Sequence, residues 1–351
     1  MPPATILKFP TSSPADTSPL TRLQEAGFKT KDILGIVGKT EGNGCVNDFS
    51  RTLSSHVWDA LIPDSAISIF SGGTEGVLSP HITAILQSDK PTGLHAAVRR
   101  SRVLEPWEVG SVEHVRYVAA SIREKMVEEG IEAGDVQLVL IKCPLLTSER
   151  IAAIQATGRK PVTLDTYESM ALSRYASAIG IGAALNPTIT NTIPQLLSSG
   201  DFQTPLASCS SGAELQDCHI LILSNTTPPN PSPPSLTRAF NSTMHSGIDF
   251  SSLQTLLTKA LHPSPPYTKA TLLQVFVKAE ADPSGLVKGE FRHTMLTDSD
   301  LHSTRHARAA VGGLVAGVTG DCAVYVSGGA EGQGPKGGGS LCVVVRWELY
   351  R

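Results

Sequence analysis

Val136-Gln-Leu-Val-Leu-Ile-Lys142 is an apolar, β-rich run that ends on a lysine, and the chain repeats this phrase. Ile33-Leu-Gly-Ile-Val-Gly-Lys39 comes before it and Leu273-Gln-Val-Phe-Val-Lys278 after it. Downstream of each lysine an arginine sits in a helix-like start: Ser50-Arg51-Thr52, Ser173-Arg174-Tyr175 and Thr304-Arg305-His306-Ala307-Arg308. Downstream of each arginine a serine opens a turn of small residues that closes on glutamate: Ser71-Gly-Gly-Thr-Glu75, Ser210-Ser-Gly-Ala-Glu214 and Ser327-Gly-Gly-Ala-Glu331. Internal repetition of this kind decides the fold before any single element does. The order Lys, Arg, Ser is constant, while the lysine-to-serine interval is longest in the second copy, which places insertions there in surface loops.

Between these signatures strand and helix patterns alternate. Val112, Val115, Val118, Ile122 and Met126 recur at helical spacing, and Gly130 and Gly134 punctuate the passage into the strand ending at Lys142. Ala66–Phe70 and Cys322–Val326 read as short strands that deliver Ser71 and Ser327 into Gly turns, where α/β units place functional groups. Thr226-Thr-Pro-Pro-Asn-Pro-Ser-Pro-Pro-Ser235 can be neither helix interior nor central strand and reads as a linker. A lesser break falls at Glu105-Pro106. The expected units are therefore 1–104, 105–236 and 237–351. Asp298-Ser-Asp300 could cap the helix that carries Arg305 and Arg308.

Composition narrows the function classes. Hydrophobic residues make up 40% of the chain and charged residues 17%, enough to bury a core. A net charge of −3 without a basic run points away from nucleic acid and anionic membranes. No apolar stretch is long enough to span a bilayer, and the first twenty residues have no signal-like apolar region, so a cytoplasmic protein is expected. Cys45, Cys143, Cys209, Cys218, Cys322 and Cys342 show neither C-x-x-C nor zinc spacing and read as reduced thiols. His81, His293 and His306 read as structural.

Three Lys, Arg and Ser sets around a pseudo-threefold axis would surround a small, planar, polar ligand with carbonyl oxygens spaced around a ring. Arginine forks donate in plane, and serine hydroxyls with the amides that follow add further donors. A lysine crowded by cations and partly desolvated has a lowered pKa, so it can accept a serine proton without a Ser-His-Asp triad. A lone Ser-Gly-Gly turn would be an ordinary tight turn. Three in one order are not.

Gly38-Lys-Thr-Glu-Gly-Asn-Gly-Cys-Val-Asn-Asp-Phe-Ser-Arg51, Phe70-Ser-Gly-Gly-Thr-Glu-Gly-Val-Leu-Ser-Pro-His81 and Lys142-Cys-Pro-Leu-Leu-Thr147 resemble signatures of the cyanuric acid hydrolase and barbiturase family. So do His293-Thr-Met-Leu296, Ser303-Thr-Arg-His-Ala-Arg-Ala-Ala310 and Tyr325-Val-Ser-Gly-Gly-Ala-Glu331. The resemblance implies an α/β fold of three similar units in pseudo-threefold arrangement around a barrel-like core, with the active site at their shared centre, usually in a homotetramer. It implies hydrolytic opening of a cyclic imide or ureide, closest to the cyanuric acid hydrolases, where carboxybiuret loses carbon dioxide to give biuret; barbituric acid is the alternative substrate. Carried onto this chain, it makes Ser210 the nucleophile and Lys142 its base, with Lys39 and Lys278 in support. Ser71, Gly72, Ser211, Ser327 and Gly328 would hold the ring with Arg51 and Arg174. The third arginine is open: the Ser/Thr-Arg motif matches Arg305, whereas the distance to the serine favours Arg308.

Some relatives carry a structural divalent ion, which would fall here on Glu280 and on Ala330, Gln333, Gly334, Pro335 and Gly338 of the Gly-rich loop. Such oxygen ligands suit Mg²⁺ or Ca²⁺. No organic cofactor is expected, and no G-K-[ST] follows to make a phosphate loop. In the Cys209-Ser210-Ser211-Gly212 run a one-residue error of alignment would change the nucleophile.

Overall fold

Each of the three lysines closes a buried strand, and each finds a serine directly across on a parallel neighbour. The computed structural model describes residues 3–227 and 232–349. The middle of the Pro-rich linker, 228–231, thus lies outside the described residues.

In the first stretch the order is β1 (Ala4–Pro10), α1 (Ser18–Glu25), β2 (Ile33–Thr40), α2 (Phe49–Asp59), β3 (Ile67–Gly72) and β4 (His81–Gln87). The second runs β5 (Leu94–Arg100), α3 (Val112–Glu129), β6 (Val136–Pro144), α4 (Ser148–Ala156), α5 (Thr166–Leu185), α6 (Ile193–Ser199), β7 (Ala207–Gly212) and β8 (His219–Asn225). The third runs β9 (Ser235–Met244), α7 (Phe250–Leu261), β10 (Tyr267–Ala279), the short hairpin β11 (Leu286–Val287) and β12 (Phe291–Arg292), α8 (Ser303–Thr319), β13 (Tyr325–Gly328) and β14 (Gly339–Leu349). Three open four-stranded sheets result, ordered β1-β4-β2-β3, β5-β8-β6-β7 and β9-β14-β10-β13. They are the same sheet three times: a lysine strand flanked by a parallel serine strand and an antiparallel return strand.

The expected insertion in the second copy is α4 and α6, packed beside a long α5. By pairing, β5 belongs to the second sheet, although the break at Glu105-Pro106 would leave it with the first. Pro106–Glu108 forms a 3-10 turn leading into α3. The turn between sheets is instead Ser88–Gly93, where Gly93 takes φ +83°. Likewise β9 opens at Ser235, just ahead of residue 237. The cap of α8 is His302, whose ring nitrogen accepts from Thr304 N at 3.3 Å. Asp298 instead accepts from Asp300 and Leu301 N and pairs with His306.

Strand alternation sorts each sheet into two faces. Inward residues from all three sheets meet in one central core that includes Ile6, Val37, Ile69, Leu140, Leu221, Phe276, Tyr325 and Val344. This shared layer makes the assembly barrel-like although each sheet stays open. Outward residues pack under helices in three separate cores: Ile36 and Phe70 under Trp58 of α2, Val139 and Ile222 with α3 and α5, Val275 and Val343 with α7 and α8. Leu140 is fully buried in the shared layer. Leu140→Ala should therefore cost about 2–5 kcal/mol in denaturant unfolding, and a loss below about 1 kcal/mol would mean that the three sheets do not depend on that layer.

Candidate active site

Lys39 pairs in register with Ser71, Lys142 with Ser210 and Lys278 with Ser327. This identity of register selects Ser210, rather than Cys209 or Ser211, as the counterpart of the other two serines. All three lysines are buried, at 1% exposure each. Lys142 Nζ donates to Phe70 O at 2.8 Å and Ser211 O at 3.2 Å. Lys278 Nζ donates to Cys209 O at 2.7 Å, Ser327 Oγ at 3.0 Å and Gly328 O at 3.2 Å, and Lys39 Nζ to Gly72 O at 3.0 Å. The Ser210 hydroxyl is buried and makes no hydrogen bond. Lys142 and Ser210 are thus neighbours in the sheet without a closed bond between them.

The arginines arrive from the helix between the lysine and serine strands of each unit: Arg51 from α2, Arg174 from α5 and Arg308 from α8. Each reaches across to the glutamate that ends the serine turn of the next unit. Arg174 Nε and Nη2 both lie 2.7 Å from the Glu331 carboxylate. Arg308 grips Glu75 from Nε at 2.9 Å and Nη2 at 2.5 Å, while Arg51 Nε stands 3.9 Å from Glu214. The pairing runs one way round, first unit to second, second to third, third to first. Gly73 and Gly329, at φ +91° and +75°, leave space that a Cβ would take from Arg308 and Arg174. Of the two third-unit candidates, Arg308 is buried and lines the central cavity, whereas Arg305 is half-exposed, is not part of the lining and donates to Glu75 Oε2 at 3.2 Å.

That cavity holds about 280 Å³. Ser71, Gly72, Ser210, Ser211, Ser327 and Gly328 line it together with Arg51, Arg174, Arg308 and Lys142. Lys39 and Lys278 stay behind this surface. Tyr167 at the start of α5 and His302 at the cap of α8 stack at its mouth, ring centroids 4.6 Å apart.

Burial drives the lysines away from the charged form. It lowers Lys142 to about 8, with Arg51 pushing the same way and Glu214, 3.1 Å from Nζ, opposing. Lys278 falls to about 7 through burial and then Arg174, and Lys39 well below its ordinary range through burial and then Arg308. Burial alone would raise Glu214, but Lys142 and Arg51 more than offset it and hold it below the usual range. His81 is fully buried, kept neutral by burial at about 4, and bonds the Ser79 carbonyl, which is a structural role.

For a divalent cation the donor set fits in kind. Glu280 is half-buried, and desolvation together with the Glu331 carboxylate pushes it up to about 7, a repulsion that a cation would relieve. Its Oε2 accepts from Gly337 N at 3.1 Å, which brings the Gly-rich loop against it. Gln333 is fully buried with Oε1 accepting from Cys209 N. Among the described residues no three His, Cys, Asp or Glu side chains gather as a metal site, so such an ion would rest mainly on carbonyls.

Sequence reasoning treats Glu75, Glu214 and Glu331 as turn punctuation and passes over Tyr167 and His302. Their recurrence after each serine signals the glutamates. Tyr167 and His302 carry no pattern.

Three sheets with one register of lysine and serine, closed by arginines around a small polar cavity, define a hydrolase-type centre shared by repeats. The sequence profile of the amidohydrolase ring-opening proteins matches residues 5–346, and the chain belongs to that family. A cyanuric acid amidohydrolase from Sarocladium sp is 56% identical, over 99% of this chain and 100% of the relative. One from Pseudonocardia dioxanivorans is 50% identical over 97% and 98%. Among solved structures, a cyanuric acid hydrolase from A. caulinodans superposes with a TM-score of 0.88 at 37% identity, covering 98% of this chain and 99% of its own. A second cyanuric acid hydrolase, described as an evolutionary innovation by structural concatenation, gives 0.88 at 36% identity, covering 99% and 100%.

The register also predicts thiol chemistry. Cys322 is exposed and Cys45 half-buried at the cavity, while burial raises the thiols of Cys143, Cys209, Cys218 and Cys342. Iodoacetamide on the folded protein should label Cys322 and then Cys45 and spare the other four. Peptide mapping that finds Cys209 labelled first would undo the assigned register.

Proposed function

We propose that the protein is a cyanuric acid amidohydrolase that opens the s-triazine ring by a Ser210 nucleophile with Lys142 as its base. One observation carries this: the serines of three in-register Lys/Ser pairs converge on a single cavity that suits a planar ring with threefold carbonyls, in a chain 56% identical to a protein of that activity.

Each carbonyl of the ring would face one serine turn, Ser71-Gly72, Ser210-Ser211 or Ser327-Gly328, with Arg51, Arg174 and Arg308 donating at the rim. Glu331 and Glu75 keep the Arg174 and Arg308 guanidinium planes from rotating away, and the Cys45 carbonyl, 2.7 Å from Nη2, holds Arg51, so orientation is established before the ring arrives. In the reaction, neutral Lys142 takes the Ser210 proton as Oγ attacks a carbonyl carbon. The developing oxyanion is held by amides and hydroxyls of the turn. The C–N bond then breaks, and the Lys142 ammonium returns its proton to the leaving nitrogen. Water, deprotonated by the again neutral lysine, attacks the acyl carbon, and the Lys142 ammonium returns that proton to Ser210 Oγ as the C–O bond breaks, releasing carboxybiuret, which loses carbon dioxide to give biuret. Lys39 and Lys278 sit outside the cavity lining and shape its field.

A divalent cation held by Glu280 and the carbonyls of Ala330, Gln333, Gly334, Pro335 and Gly338 would supply cross-linking of the Gly-rich loop and charge relief beside Glu331. We propose further that the chain works in the cytoplasm as a homotetramer. Supporting this, none of its six cysteines is paired, no helix of the described residues is long and apolar enough to cross a membrane, and Ile248, Phe250, Phe291 and Leu296 present apolar surface that a neighbouring subunit would cover.

A second reading places the reacting pair in the third unit, because Lys278 and Ser327 are already bonded at 3.0 Å. We favour Ser210, whose hydroxyl is unengaged and whose lysine faces the cavity.

Loss of ring ultraviolet absorbance with cyanuric and barbituric acid separates these readings. Wild type should consume cyanuric acid, and Ser210→Ala and Lys142→Ala should lose at least about 10³-fold in kcat. Turnover of barbituric acid alone would move the chain to the sister activity. A full loss in Ser327→Ala with Ser210→Ala active would favour the third unit, and no turnover at all would leave a binder of cyclic ureides.

A pH profile tests the base. Only the neutral amine accepts a proton, so kcat/KM should rise with pH through about 8. Glu214 favours the ammonium, so Glu214→Gln should move that rise to lower pH. A profile that falls over this range contradicts Lys142 as the base.

A further inference from the structure

The Lys, Ser, Glu and Arg sets repeat three times, yet the proposed reaction uses one serine, and the site must contain something that is not threefold. The layer directly beneath it breaks the symmetry. Two residues before each serine, on the same face of its strand, stand Ile69, Ser208 and Tyr325. Their cross-strand partners are Val37, Leu140 and Phe276. Tyr325 is 1% exposed, and its ring lies 5.7 Å from that of Phe276. The Ser210, Ser71 and Ser327 hydroxyls each favour the ionised form of its phenol, Ser210 most of the three. It closes no hydrogen bond on Ser210. Below Ser210 itself stands Ser208, the smallest of the three layer residues, with its own buried hydroxyl unpartnered. The third unit therefore supplies a phenol in the layer where the second unit has only a serine.

We propose that Tyr325 is the positioning residue that singles out Ser210, its hydroxyl donating to Ser210 Oγ when the ring is bound. This rests on the reading of Ser210 as nucleophile. A donor on one lone pair of Oγ directs the Ser210 proton towards Lys142 and stabilises the oxygen as that proton leaves. Bonds of this kind are often open without substrate and close in the complex. Burial pushes the phenol up to about 12, which keeps it protonated and a donor. The groups facing it are the serines of β3 and β7, Ser327 on its own strand, the Arg51 charge from α2, and on β10 Phe276 with Lys278 two residues along.

Tyr325→Phe keeps the ring and removes the donor. Assayed on cyanuric acid beside Ser210→Ala, it should lose roughly 10²-fold in kcat with KM changed less than about threefold and the thermal midpoint unmoved. Wild-type kcat in Tyr325→Phe, with Ser210→Ala inactive, overturns the role of Tyr325 and leaves the nucleophile standing. Turnover by Ser210→Ala overturns both. Should Tyr325→Phe unfold, 3-fluorotyrosine placed at 325 decides the matter, because its more acidic phenol should make kcat decline at a lower pH than in wild type. An unchanged alkaline limb overturns the proposal.

Discussion

Everything at the centre of this molecule depends on burying three lysines opposite three serines in one strand register. An isolated ammonium in such a place would cost several kcal/mol, and the structure meets that cost chiefly by shifting the lysines towards the uncharged form. Burial and a neighbouring arginine push all three lysines towards the neutral amine. Lys142 alone has a carboxylate at 3.1 Å, which leaves it the highest of the values assigned, about 8 against about 7 for Lys278. The field that leaves a lysine neutral is thus built from the same residues that would bind the ring.

None of the three sets is complete within one unit. A lysine, serine and glutamate come from one, and the arginine that acts on them comes from the unit before: Arg51 beside Lys142, Arg174 beside Lys278, Arg308 beside Lys39. The glutamates turn this into a closed ring of contacts, so the cavity forms only when all three sheets share their central core. Such a design would offer a bound ring three similar faces and little to choose one reacting carbonyl. Departures from symmetry, Glu214 on Lys142 and Tyr325 under the serines, are where a single reaction can be specified.

Much of this was legible in the chain. Lysine and serine could be matched because each sits at a fixed place in a strand pair, and that place is set by local apolar patterning. The Arg305 and Arg308 ambiguity could not be settled by motif, because both lie three apart on one helical stretch and only burial against Glu75 separates them. The glutamates escaped notice as partners since Arg174 and Glu331 are far apart in sequence and meet only across sheets. The strand Leu94–Arg100 was hidden by the Glu105-Pro106 break, which starts a helix rather than a unit, while the Gly93 turn that does separate the sheets carries a weaker signal.

In the proposed complex one planar ring sits on the pseudo-threefold axis with Ser210 facing a carbonyl carbon. A crystal structure of Ser210→Ala with cyanuric acid tests it most directly. One ring is expected in the central cavity, with a carbonyl at each of the Ser71, residue 210 and Ser327 turns. The carbonyl carbon at position 210 should lie within reach of where the native serine oxygen would stand, on the Lys142 side. A ring bound elsewhere, or one whose nearest free serine oxygen is Ser327 beside Lys278, would contradict it.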